Sequence, residues 1–115
     1  MKIQLGFEII KGNNYDVIKY PNGLLEIMGY YVQNVDFYQS GSLYRGDFAE
    51  FIKFPISFIN LPNVIVNTVS SEDYVYCSVC GVIRDKTGIK KITFQKGTKD
   101  SGNVSFHYRA IGFWK

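Results

Sequence analysis

Few residues in this sequence could do chemistry, and their neighbours restrict what they can do. The one histidine, His107, lies in FHYRAIG between aromatic residues. A histidine can act as a general base near neutral pH, but nucleophilic catalysis also needs a serine or cysteine and an orienting carboxylate beside it. Nothing in the sequence places such partners next to His107, so a histidine satisfied on a strand is expected. Cys77 and Cys80 form a CxxC. In redox enzymes this spacing opens a helix, whose start lowers the thiol pKa. Here the surrounding VYCSVCGVI favours a strand. On a strand, residues three apart face opposite ways and lie roughly 10 Å from one another at ~3.3 Å per residue. A disulfide needs Cα atoms within about 7 Å, so the pair is expected to stay reduced, as in a chain made in a reducing cytosol. The CxxC is also only half of a zinc knuckle. Glycoside hydrolysis would need two facing carboxylates. Glu26, Glu50 and Asp73 are available, but each suits a solvated strand face or a turn. Neither a phosphate-binding glycine loop nor an HExxH helix occurs. The expectation is a non-enzymatic protein without cofactor or metal.

Binding residues are more plentiful. Aromatics make up 17% of the 115 residues, with nine Tyr, nine Phe and one Trp. Residues 1–83 hold five Lys/Arg and eight Asp/Glu, a net of −3, whereas residues 84–115 hold eight Lys/Arg and two Asp/Glu, a net of +6. Arg84, Lys86, Lys90, Lys91, Lys96 and Lys99 crowd one predicted hairpin. Adjacent strand residues point to opposite faces, so Lys90 and Lys91 cannot share a binding stripe. Two readings stay open: lysines that guard an edge strand, or contact with an anionic polymer. The acidic first 83 residues oppose a nucleic-acid partner, and no apolar run approaches the ~18 residues of a membrane span. MKIQLGFEIIKGNN lacks the long apolar stretch and small-residue cleavage site of a secretory signal.

The elements that must position these residues are strands. No window shows a capped apolar repeat of helical period. KIQLGFEII alternates. Tyr15 to Tyr20 alternates as well, and Pro21-Asn22-Gly23 makes a turn before LLEIMGYYV. Residues 33–47 mix Ser, Gly and Asp with aromatics and are expected to form a long loop. Strands follow over 48–54, 64–70, 74–83, 89–96 and 104–114, with turns at Ser71-Glu72-Asp73, 84–88 and 97–103. In the last strand Phe106, Tyr108, Ala110, Gly112 and Trp114 share one parity, and His107, Arg109, Ile111 and Phe113 the other. Both faces are partly apolar, which suits a central strand or one at a subunit interface. The sum is one all-β domain, an antiparallel sandwich of about six to eight strands.

Four motifs follow one another along the chain. The first is NYDVIKYPNGLLEIMG with Pro21, Gly23, Leu25, Ile27 and Gly29. Next come FIKFPISFINLPNVIVNTVS with Phe54, Pro55, Phe58, Pro62 and Val64, then DKTGIKKITF with Thr87, Gly88 and Ile89. HYRAIGFW, with Tyr108, Ala110, Ile111, Gly112 and Phe113, completes the set. In this order the motifs resemble the C-terminal tip domain of phage tail fibre proteins. Met28 stands where the family usually has Trp, and the turn after 74–83 lacks the usual Phe. Roughly residues 14–114 are covered, leaving 1–13 as a leading strand or stalk connection. The resemblance implies a small lectin-like sandwich, similar to H-type lectins, that forms homotrimers at a fibre tip. It implies recognition of bacterial cell-surface polysaccharide or glycan, and a place in a virion tail or a prophage or bacteriocin tail particle. A structural role, trimerising or capping the fibre without receptor contact, is the alternative. The matched residues are architectural and transfer no ligand site. From residue type and expected exposure, the candidate ligand contacts are Tyr38, Tyr44, Arg45 and Asp73, with His107, Arg109 and Trp114 at the last strand.

Overall fold

The turn at Pro21-Asn22-Gly23 shows how local chemistry sets the fold. The Leu24 amide donates to Asn22 Oδ1 at 3.0 Å, and Gly23 takes φ +99°, a value only glycine adopts without strain. The turn joins β2 (Tyr15–Lys19) to β3 (Leu24–Val35), which pair antiparallel with Val17 opposite Ile27. The structure is a computed structural model that describes residues 6–71, 74–99 and 101–115. Among these there are ten strands and no helix.

Five strands form sheet A in the order β1 (Glu8–Lys11), β2, β3, β10 (Gly102–Phe113), β7 (Asn63–Thr68). Sheet B contains β4 (Tyr38–Ser40), β5 (Leu43–Phe48), β6 (Ile52–Lys53), β8 (Ser78–Arg84) and β9 (Gly88–Lys96). In sheet B, β5 and β6 occupy successive stretches of one side of β9, and β8 runs along the other. All pairings are antiparallel. The all-β sandwich expected from the sequence is therefore present, with more strands than the expected six to eight.

The extra strands come from places where composition misleads. Residues 33–47 are not a loop. β3 continues past Gly29 to Val35 because every residue from 24 to 35 faces a partner on β10. Asp36 and Phe37 carry the chain to sheet B, where β4 and β5 form a hairpin around Gly41 at φ +64°. The strand expected over 48–54 is broken at 49–51, leaving β6 as a two-residue strand. That expected over 74–83 begins only at Ser78. The lysine-rich β9 is interior rather than an edge, so edge protection does not explain its charges.

The core lies between the sheets. Val17, Leu25, Ile27, Val104, Phe106, Tyr108 and Ala110 project from sheet A, and Phe48, Ile52, Ile89, Ile92 and Phe94 from sheet B. Phe106 is the hub, with ring centroids 5.3 Å from Phe48, 5.7 Å from Phe94 and 5.8 Å from Tyr31. Such offset and edge-on aromatic pairs add about 0.5–1.5 kcal/mol each beyond area burial. β10 is central, between β3 and β7. Its alternation buries Phe106, Tyr108 and Ala110 and turns His107 and Arg109 outward.

Candidate functional site

The outward residues of β10 meet partners from three other strands. Arg109 faces Met28 on β3 and Ile65 on β7, and Met28 in turn faces Asp16 on β2. One register step away, His107 faces Tyr30 and Asn67. The turn between β1 and β2 borders these rows: Gly12 N–H donates to the Tyr15 carbonyl at 2.8 Å, and Tyr30 N–H donates to the Asn14 carbonyl at 3.1 Å. Two depressions result, sharing Met28, Gly29 and His107 in their walls. One, of about 300 Å³, is completed by Asn13, Asn14, Asp16 and Tyr30. The other, of about 350 Å³, is completed by Ile65, Asn67 and Arg109. Together they make a groove across the outer face of sheet A.

Two of the groove's polar side chains, Tyr30 and Arg109, are held by hydrogen bonds. The Tyr30 ring centroid is 4.8 Å from that of His107, with the planes tilted by 45°. Ser105 Oγ donates to Tyr30 Oη at 2.9 Å. This bond, then one with the Tyr74 hydroxyl, holds the Tyr30 phenol below its usual range, against a smaller opposing effect of burial. Arg109 Nη2 donates to Glu26 Oε1 at 3.1 Å, so its charge is matched locally. Asp16 faces Lys11 across the β1–β2 ladder. The result is an apolar floor of Met28, Ile65 and the Tyr30 ring, rimmed by amides, an imidazole, the Asp16 carboxylate and the Glu26-paired Arg109. Such a surface offers hydrogen-bond partners without a strong field. No carboxylate, hydroxyl or thiol of a described residue hydrogen-bonds His107. No group of three or more His, Cys, Asp and Glu among the described residues could hold a metal ion.

The candidate contacts from sequence fall in three separate places. His107 and Arg109 lie in the groove. Tyr38 and Arg45 are cross-strand partners on sheet B. There Arg45 Nε sits 3.7 Å from Asp47 Oδ1, which also accepts from Thr93 Oγ1 at 2.9 Å. Tyr44, the residue before Arg45, alternates inward and packs against the core. Trp114 lies just beyond β10, seven positions from His107, or roughly 23 Å at ~3.3 Å per residue. Its indole N–H donates to the Tyr20 carbonyl at 3.1 Å. Asp73 lies outside the described residues. Sequence reasoning missed Tyr30, Asn67, Asp16 and Asn14, which only the strand register brings to His107.

The basic stretch makes no stripe. Lys90 pairs with Asp85 at 3.5 Å and Lys91 with Asp47 at 3.7 Å, whereas Lys96 is buried with Nζ 4.3 Å from the centre of the Phe37 ring. Cys77 is half-buried and Cys80 exposed, and both are free thiols.

No protein-family model matches the sequence, and no curated protein matches it. Among solved structures, the fold is similar to a C-terminal fragment of the P. aeruginosa R1 pyocin fibre, at 16% identity and a TM-score of 0.67. That match covers 95% of this chain and 28% of the fibre fragment. An N-truncated R1-type pyocin tail fibre matches at 16% identity and a TM-score of 0.68, over 95% of this chain and 87% of that one. The P. aeruginosa R2 pyocin fibre fragment matches at 17% identity and a TM-score of 0.54, over 91% of this chain and 26% of that one. The chain thus spans about a quarter of the longer fibre fragments and has the fold of a pyocin tail fibre domain.

Proposed function

We propose that this domain is the non-enzymatic receptor-binding module of a phage or phage-derived tail fibre, and that it recognises a bacterial surface saccharide through the groove on sheet A. The observation that carries this reading is the groove itself. A sugar presents an apolar C–H face and a rim of hydroxyls, and the groove offers an apolar floor with amide, hydroxyl and imidazole partners around it. The fold it shares with pyocin fibres supports placing it in a tail particle assembled from chains made in the cytoplasm. A homotrimer is part of the proposal. Shallow single sites bind weakly, and three linked copies would raise avidity without new contacts. Exposed Leu61, Ile83 and Ile59 are apolar surface available to such an assembly.

The test is binding of surface polysaccharide from candidate host bacteria, by glycan array and then calorimetry. A net hydrogen bond is worth about 0.5–1.5 kcal/mol, so Asn67→Ala or His107→Ala should weaken binding up to about tenfold, with folding intact by circular dichroism. Light scattering should give three copies per particle. A verified trimer that binds no glycan and no cell would favour the capping role and sink the receptor reading.

A further inference from the structure

A second site lies at the far end of sheet A, where Trp114 meets the β2–β3 turn. Lys19 Nζ sits 4.0 Å from the centre of the Trp114 ring, and Lys115 Nζ sits 4.9 Å from it. No carboxylate of a described residue lies within ion-pair distance of either ammonium. Glu8 is the cross-strand partner of Lys19 and lines the same cavity without closing an ion pair. The cavity is about 290 Å³, and its apolar wall is Phe7 and Tyr20, whose ring centroids are 6.1 Å apart.

The indole is fixed before any ligand arrives. Its N–H is held by the Tyr20 carbonyl at 3.1 Å, and the Trp114 amide donates to the Gly23 carbonyl at 2.8 Å. An indole face attracts a cation, but it does not neutralise one. The Lys19 ammonium, with no carboxylate of a described residue within ion-pair distance, is the cation that an anion entering the cavity would meet. The site is therefore preorganised for an anionic group, with an aromatic wall for the body that carries it.

We propose that this pocket binds an acidic saccharide. Its carboxylate or phosphate is held by Lys19, its C–H face lies against Phe7, and a hydroxyl donates to Glu8. The anion-binding part stands on the pocket alone, and only the saccharide part rests on the receptor-binding reading above. The site is separate from the groove, where Arg109 is already paired with Glu26.

Trp114 is the single tryptophan of the chain, so its fluorescence reports on this pocket directly. The experiment titrates the intact protein with glucuronate, glucose 6-phosphate and glucose at low salt. Glucuronate or glucose 6-phosphate, or both, should change the emission saturably, and glucose should not. The two acidic sugars separate a carboxylate preference from a phosphate preference. Lys19→Gln should weaken the response at least fivefold and Lys19→Arg should retain it, both with unchanged circular dichroism. Raising salt to 0.5 M should also weaken it. An equal response to glucose, or an unchanged response in Lys19→Gln, overturns the site. Inorganic phosphate binding as well as the acidic sugars do would reduce it to an anion site and overturn the saccharide part. Failure of polysaccharide to bind at the groove leaves this result standing, because its readout is local to Trp114.

Discussion

Gly29 lies under the groove, and replacing it tests how the groove floor is built. Its φ is not in the left-handed region, so an alanine meets no backbone strain there. What it meets is Tyr108: a Cβ built at Gly29 falls under 3.0 Å from three atoms of that side chain. Tyr108 is 3% exposed and part of the packed core, so its ring has little room to give. Overpacking of this kind costs roughly 1–3 kcal/mol. The opposing gain from a stiffer unfolded chain, for glycine to alanine, is about 0.4–1 kcal/mol. The collision wins, and the net loss is on the order of 1–2 kcal/mol. Unfolding entropy of about 2.1 cal/mol/K per residue makes each kcal/mol worth roughly 4 °C in a chain of this length. Gly29→Ala should therefore lower Tm by roughly 4–8 °C in differential scanning calorimetry. In a Tyr108→Leu background the ring is gone, and the same substitution should be close to neutral, a coupling that a double-mutant cycle isolates. A Tm that rises with Gly29→Ala, or an equal loss in both backgrounds, would refute the packing argument.

Three further outcomes follow from other residues. The Thr87 hydroxyl and amide, and then Gly88, hydrogen-bond the Asp85 carboxylate and hold its pKa below the usual range. A depressed carboxylate stabilises the fold above its unfolded pKa and loses that effect as pH falls through the folded one. The Tm gap between wild type and Asp85→Ala should thus be widest near pH 6 and narrow toward pH 2; a constant gap would remove the charge argument. Burial pushes the Tyr108 phenol up, with Tyr31 and Tyr15 adding to it. A raised acid contributes stability below its unfolded pKa near 10 that is lost as pH rises past it, so urea midpoints should fall above pH 10, less steeply in Tyr108→Phe. Burial also raises the Cys77 thiol, whereas Cys80 is exposed. A thiol reagent at pH 8 should label Cys80 first and Cys77 several-fold more slowly, and equal rates would contradict the burial of Cys77.

Much of the fold was legible because it depends on alternation and turn chemistry. Asn22-Gly23 marked a hairpin, and the parity of Phe106, Tyr108 and Ala110 marked the buried face of β10. The stretch 33–47 was not legible, because Gln33, Asn34 and Ser40 are held as strand by partners that composition does not reveal. Asn34 faces Asn103, 69 residues away in sequence. The same cause hid the groove. His107 and Arg109 could be read as outward residues, but Tyr30 and Asn67 join them only through the β3–β10 and β10–β7 registers. Register over such separations is fixed by the burial of one face, a property of the assembled core. The lysines misled for a related reason: charge on β9 suggested an edge, yet Asp47 and Asp85 come from elsewhere to match it.

The central place of β10 also governs when the domain can form. Its twelve residues join β3 to β7, and the Arg109–Glu26 bond closes a separation of 83 residues. During synthesis, β3 and β7 therefore leave the ribosome with unpaired sides and half of an apolar core, and wait for residues 102–113. Exposed strand edges in that interval invite pairing with other chains. Where several copies are translated close together, this waiting period is also when neighbouring chains can find one another. The strand that presents His107 and Arg109 is thus also the latch on folding, and a chain cut before residue 102 should accumulate as aggregate rather than as a smaller domain.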